Sequence, residues 1–169
     1  MTDELTLIDT ESGMIVPLAR PVSLKNDSID LIRRFAPSAV TGPISPNTAK
    51  GTIAHMKPPS ESVARVGEYC PLAWVIVPKY HVGAATMAGE MTKGEAFMKV
   101  AESAVNYMAL GKLGFDLVSC FIDETLCYRF EYSDLDQAVQ WFDALSLSEN
   151  QTNSRLLRQA LVTPEILVN

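Results

Sequence analysis

Apolar and polar positions alternate from the start of the chain. Leu5, Leu7 and Ile8, then Met14, Ile15 and Val16, predict strands over residues 5–8 and 14–16. Asp9, Ser12 and Gly13 lie between them and predict a tight turn, so a β-hairpin opens the chain. Residues 17–26 read as a loop. Ile29, Ile32 and Phe35 then recur at helical spacing and predict a helix over 29–35, started by Asp27 or Ser28 and stopped by Pro37. Residues 38–49 are rich in Gly, Pro, Ser, Asn and Thr and predict a long loop, followed by a strand over 52–56.

Pro58 and Pro59 open a further irregular stretch. It ends at Trp74, Val75, Ile76 and Val77, a run of β-formers that suits a buried strand, and a short strand is expected within 84–91. Thr92 followed by Glu95 is a capping box. Phe97, Val100, Ala101, Ala104, Val105 and Met108 line one face of the helix it starts, and Gly111 ends that helix. A second helix is expected over 113–122 and a strand over 126–132. Ser133 is placed to cap a last amphipathic helix through Leu145, with Asp134 and Asp136 favourable to its dipole. Residues 148–153 are polar and predict a linker, after which Leu156, Leu157, Ala160 and Leu161 form a small apolar face suited to a weak helix or a subunit contact. The expected division is therefore one domain over 1–146 and a tail over 147–169. The expected fold is α/β of the α+β kind, a mixed sheet with an N-terminal hairpin and C-terminal helices.

A chain of 169 residues with 47% hydrophobic and 20% charged residues can bury a core without staples. Its net charge of −6 speaks against nucleic acid as a partner. No apolar run approaches the roughly 18 residues of a membrane span, and no basic-then-apolar leader is present. A cytoplasmic protein is expected, without nucleic-acid or membrane partners. Cys70, Cys120 and Cys127 are an odd number with no CxxC pair, and reduced, buried thiols are expected. His55 and His81 have no partner at metal-ligand spacing.

Three segments carry candidate phosphate chemistry. Asp3 and Glu4 precede the first strand, where one carboxylate can hold Mg²⁺ and another can take a proton from a hydroxyl nucleophile. Lys25, with Arg20 near it in sequence, stands just ahead of a helix N-terminus. Lys50, Gly51 and Thr52 end the long loop, and the glycine would let backbone amides approach an anion. A Walker A loop is absent from the 169 residues: in the closest stretch, Gly89 to Glu95, a glutamate stands where the lysine should be.

Read together, residues 2–9, 18–29, 50–55, 74–80, 95–97, 106–111 and 132–135 resemble the HPr kinase-related kinase A family. The run Arg20-Pro21-Val22-Ser23-Leu24-Lys25-Asn26 is the most specific part. The resemblance covers roughly residues 2 to 145 and implies a branch of the HPr kinase and phosphoenolpyruvate carboxykinase group of P-loop proteins. It implies ATP and Mg²⁺ as cofactors of the full-length family, Asp3 as metal ligand and Glu4 as base. Lys25, helped by Arg20, and Lys50, Gly51 and Thr52 would meet the transferring phosphate. The family's Walker A segment lies upstream of its acidic motif, so the chain is expected to be a C-terminal portion, inactive alone, with a protein or peptide as acceptor. The alternative is a non-catalytic binding or oligomerisation module that retains the fold. A homo-oligomer is expected on either reading.

Overall fold

A computed structural model describes residues 5–162, with side chains described for residues 5–148. In chain order the elements are β1 (Leu7–Ile8), β2 (Ile15–Val16), β3 (Val22–Lys25), α1 (Asp27–Phe35), β4 (Ser45–Thr48), β5 (Gly51–Met56) and α2 (Ser60–Ala64). They continue with β6 (Trp74–Tyr80), β7 (Met87–Glu90), α3 (Lys93–Ser103), α4 (Tyr107–Leu110), α5 (Lys112–Glu124), β8 (Leu126–Tyr132) and α6 (Leu135–Val162). The fold is mixed α/β, with strands in three small sheets among the described residues. The chain forms two compact units: the first runs up to Ala73 and adds Asn106–Thr125, and the second comprises Trp74–Val105 and the chain from Leu126.

In the first unit β1 and β2 form the expected hairpin, though each strand is only two residues long. Asp9 closes the turn, its carboxylate accepting from the Ser12 hydroxyl at 2.6 Å and the Glu11 amide at 3.3 Å. The hydroxyl first, and the amide with it, hold the Asp9 carboxyl below its ordinary range. A three-stranded antiparallel sheet follows in the order β3-β5-β4, pairing Val22 with Met56 and Leu24 with Ala54. Leu24, Ala54 and Ile29 are buried, with Val22, Ile32 and Met56 packed around them, so one face of this sheet meets α1.

Several expectations are corrected here. β3 lies inside the expected loop 17–26, β4 inside 38–49, and α2 inside the irregular stretch after Pro59. Neither Asp27 nor Ser28 caps α1. Its N-cap is Asn26, and the Ser28 hydroxyl turns back to the Lys25 amide at 2.7 Å and carbonyl at 2.8 Å. Phe35, expected on the apolar face of α1, is exposed, whereas Ile29 is buried.

The second unit is a mixed sheet in the order β6-β8-β7, with β6 parallel and β7 antiparallel to β8. Successive side chains of β8 point to opposite faces, so Cys127 and Arg129 share one face and Tyr128 and Phe130 the other. Arg129 pairs with Glu95 of α3, while Phe130 stacks on Trp141 of α6, which places one helix on each face of the central strand. The C-terminal helix is capped by Asp134, which accepts from the Gln137 amide at 2.9 Å; Ser133, the expected cap, donates to the Ala84 carbonyl at 2.7 Å. The helix runs on to Val162, through the polar stretch expected to be a linker.

The capping box of α3 is present as read: Thr92 accepts from the Glu95 amide, and Glu95 accepts from the Thr92 amide at 3.1 Å. The helix nevertheless stops at Ser103, and Val105 and Met108 are 87% and 89% exposed rather than on a continued apolar face. Gly111, with φ of 55°, separates α4 from α5. The Thr92 amide first, then the Thr92 hydroxyl and the Arg129 guanidinium, hold the Glu95 carboxyl below its ordinary range. A lowered carboxylate contributes stability above its unfolded-state range and loses it as pH falls through the folded value. Glu95→Gln is therefore expected to flatten the acid limb of a urea-midpoint profile from about pH 7 down to about pH 3.

The three cysteines form no disulfide; Cys127 is buried, but Cys70 and Cys120 are exposed, against the expectation of buried thiols. Among the described residues no helix is long and apolar enough to cross a membrane.

Candidate functional site

Two of the sequence-predicted segments are brought together by the β3–β5 pairing. The strands are antiparallel, so the end of β3 meets the start of β5, and Lys25 is opposite Ile53. Asn26 continues this pairing: its amide donates to the Thr52 carbonyl at 2.9 Å, and its side-chain Oδ1 accepts from the Thr52 amide at 3.1 Å. Asn26 takes φ of 49° to do so, a left-handed conformation that Asn tolerates better than most residues. Lys25 and the Lys50–Gly51–Thr52 turn thus occupy one end of one sheet.

The turn is tied internally. Thr48 Oγ1 donates to the Gly51 carbonyl at 2.7 Å and accepts from the Lys50 amide at 3.1 Å. Gly51 has φ of 88°, and a Cβ there would sit 2.4 Å from Asn26 Oδ1. The glycine is thus needed for the turn and for the Asn26 side chain. The amides on either side of Gly51 are bonded within the protein, that of Lys50 to Thr48 Oγ1 and that of Thr52 to Asn26 Oδ1. What the turn offers outward is the exposed Lys50 side chain.

Strand alternation sorts the remaining groups. Thr52 shares the α1-facing side with Ala54 and Met56, whereas Lys25 lies on the outer side with Ser23, Ile53 and His55. Thr52 and Lys25 therefore project to opposite faces. Arg20 precedes β3, beyond the strand end remote from Lys25, with its amide bonded to the Leu18 carbonyl at 2.9 Å. The structure does not gather Arg20 with Lys25. Asp3 and Glu4, the expected metal ligand and base, lie outside the described residues.

Two other features bear on a phosphate site. The first turn of α1 carries Asp27 and Asp30, whose charge opposes an anion at that helix end. The first unit also holds a cavity of about 170 Å³ lined mainly by Met14, Pro71, Leu72, Leu117 and Phe121, with Cys120 and Glu124 in its walls. That lining has no cation, so the cavity does not suit a phosphate. Among the described residues no group of three or more His, Cys, Asp and Glu is arranged to hold a metal. Lys25 and the Lys50 turn lie at the same end of the β3–β5 pair. Asp3 and Glu4, which would hold a magnesium ion, lie outside the described residues, and the Lys50 and Thr52 amides are spent internally.

Sequence reading missed Asn26 as the clasp of the turn and left His55 without a role. The strand register with Ser23 would have placed His55, but only once β3 itself was recognised. The stretch nearest a Walker loop has a structural explanation: Gly89 and Glu90 belong to β7, and Glu95 serves the cap of α3. Compared with models of known protein families, with curated proteins and with solved structures, the chain matches none.

Proposed function

We propose that the chain is the C-terminal part of an ATP-dependent protein kinase of the HPr kinase-related kind, acting in the cytoplasm as a homo-oligomer and transferring a phosphoryl group to a hydroxyl of a protein or peptide. The observation that carries this reading is the meeting of Lys25 with the Lys50 turn across β3 and β5. Two compact cations at one sheet end can neutralise charge that builds on phosphoryl oxygens. The turn that bears Lys50 is pinned by hydrogen bonds, so little reorganisation is needed when an anion arrives. Asp3 and Glu4 keep the metal and base roles that the family resemblance implies. Without a Walker A motif within these 169 residues, the chain alone is expected to be inactive.

Isothermal titration of the chain with Mg·ATP, ADP and inorganic phosphate tests the reading. Phosphate and Mg·ATP are expected to bind with similar, weak affinity, with Kd near about 1 mM. Lys25→Ala and Lys50→Ala should each weaken both by about threefold to tenfold. Affinities indifferent to both substitutions would remove the kinase reading. A second reading, a non-catalytic self-association module, is favoured by the exposed Met108, Leu113 and Phe115 on α4 and α5. A stable dimer in sedimentation, together with no anion binding, would select it.

A further inference from the structure

We propose that His55 is a third phosphate-contacting residue, completing with Lys25 and Ser23 a site for a phosphoryl group on the outer face of the β3–β5–β4 sheet. The inference rests on the phosphate role given above to Lys25. It follows from register: Ser23 is opposite His55, Lys25 is opposite Ile53, and all four alternate away from the core formed by Leu24, Ala54 and Ile29. Directly opposed side chains in an antiparallel pair stand about 5 Å apart at Cβ, and diagonal neighbours about 7 Å, within reach of a common ligand. His55 and Lys25 are both exposed.

The chemistry of the three side chains is complementary. Lysine supplies a mobile point charge, the imidazole a directional N–H donor, and the serine a hydroxyl that donates or accepts. Ile53 and, from β4, Ser45 lie beside them on this face. The His55 backbone is fixed from both sides. Beyond its pairing with Ser23, its carbonyl accepts from the Gly42 amide at 2.8 Å, and the neighbouring Met56 bridges to Thr41. With the backbone fixed, only the His55 side-chain torsions are left to order on binding. The site thus shifts from the Thr52 side of the turn, which faces α1, to the Lys25 side.

The test is a titration of the isotope-labelled full chain with inorganic phosphate, followed by NMR. Amide signals of Ser23, Lys25 and His55 should move together on one binding curve. His55→Gln, which keeps a hydrogen-bonding side chain of similar reach, should weaken phosphate by about threefold to tenfold, as should Lys25→Ala. His81→Gln, an exposed histidine in the other unit, should leave the curve unchanged. If Lys25→Ala weakens phosphate and His55→Gln does not, the inference fails while the kinase reading stands. If phosphate moves none of these signals, the kinase reading fails and the inference with it.

Discussion

Replacing Phe130 with alanine is expected to destabilise the unit built on β6, β7, β8, α3 and α6 by about 4 kcal/mol, within the roughly 3–5 kcal/mol typical of buried aromatic truncations. Phe130 is 1% exposed on the central strand, so its side chain is removed almost completely from water. Its ring stacks on Trp141 at 4.5 Å between centroids, meets Phe142 edge-on at 5.4 Å and lies 5.5 Å from Tyr132. Alanine leaves a void between β8 and α6 that three rings cannot all close. Both tryptophans, Trp74 and Trp141, belong to this unit, so urea unfolding followed by their fluorescence reports on it directly. Against a total stability of about 5–15 kcal/mol for an ordinary domain, the midpoint should fall steeply. Phe130→Leu should recover more than half of the loss. A loss for alanine below about 1 kcal/mol would mean that α6 is not seated on β8 as described.

The elements visible in the sequence were those whose causes are local. The hairpin at Asp9–Gly13 rests on turn chemistry within a few residues, and the Thr92–Glu95 box on a three-residue spacing. The strand over 126–132 is legible to the residue because Leu126, Tyr128, Phe130 and Tyr132 alternate along one face. What escaped was tertiary in origin. Ser45, Pro46, Asn47 and Thr48 hold no aliphatic or aromatic residue, and they form a strand only because β5 pairs with them, across a register shift with positive φ at Asn47 and a turn with positive φ at Gly51. The apolar run through Val105 and Met108 imitated one long helical face, yet the backbone is extended at Ala104. Residues 148–153 are polar but contain neither Gly nor Pro, so nothing in them stops a helix already propagating. At the candidate site the two lysine segments were legible separately. Their convergence, the clasp by Asn26 and the sorting of Thr52 from Lys25 all depend on a register between residues about thirty apart.

That clasp yields the second large effect. Gly51→Ala is expected to cost about 2–3 kcal/mol, the sum of about 1–2 for placing a Cβ in the left-handed region and about 1 for a lost hydrogen bond. The backbone term arises because Gly51 sits at φ of 88°, and the hydrogen-bond term because the new Cβ would stand 2.4 Å from Asn26 Oδ1. Asn26 can escape that contact only by rotating, which abandons the Thr52 amide. The two contributions separate in a double-mutant cycle. Asn26→Gly keeps the positive φ comfortable while deleting the side chain, so Gly51→Ala in that background should cost about 1 kcal/mol less than in the wild type. The unit holds no tryptophan, so the readout is amide hydrogen exchange at Asn26 and Thr52, whose N–H groups make the paired bonds. Exchange at both should accelerate together in Gly51→Ala. Equal cost in the two backgrounds would show that the steric contact is not shared, and that Asn26 does not hold the lysine turn in place.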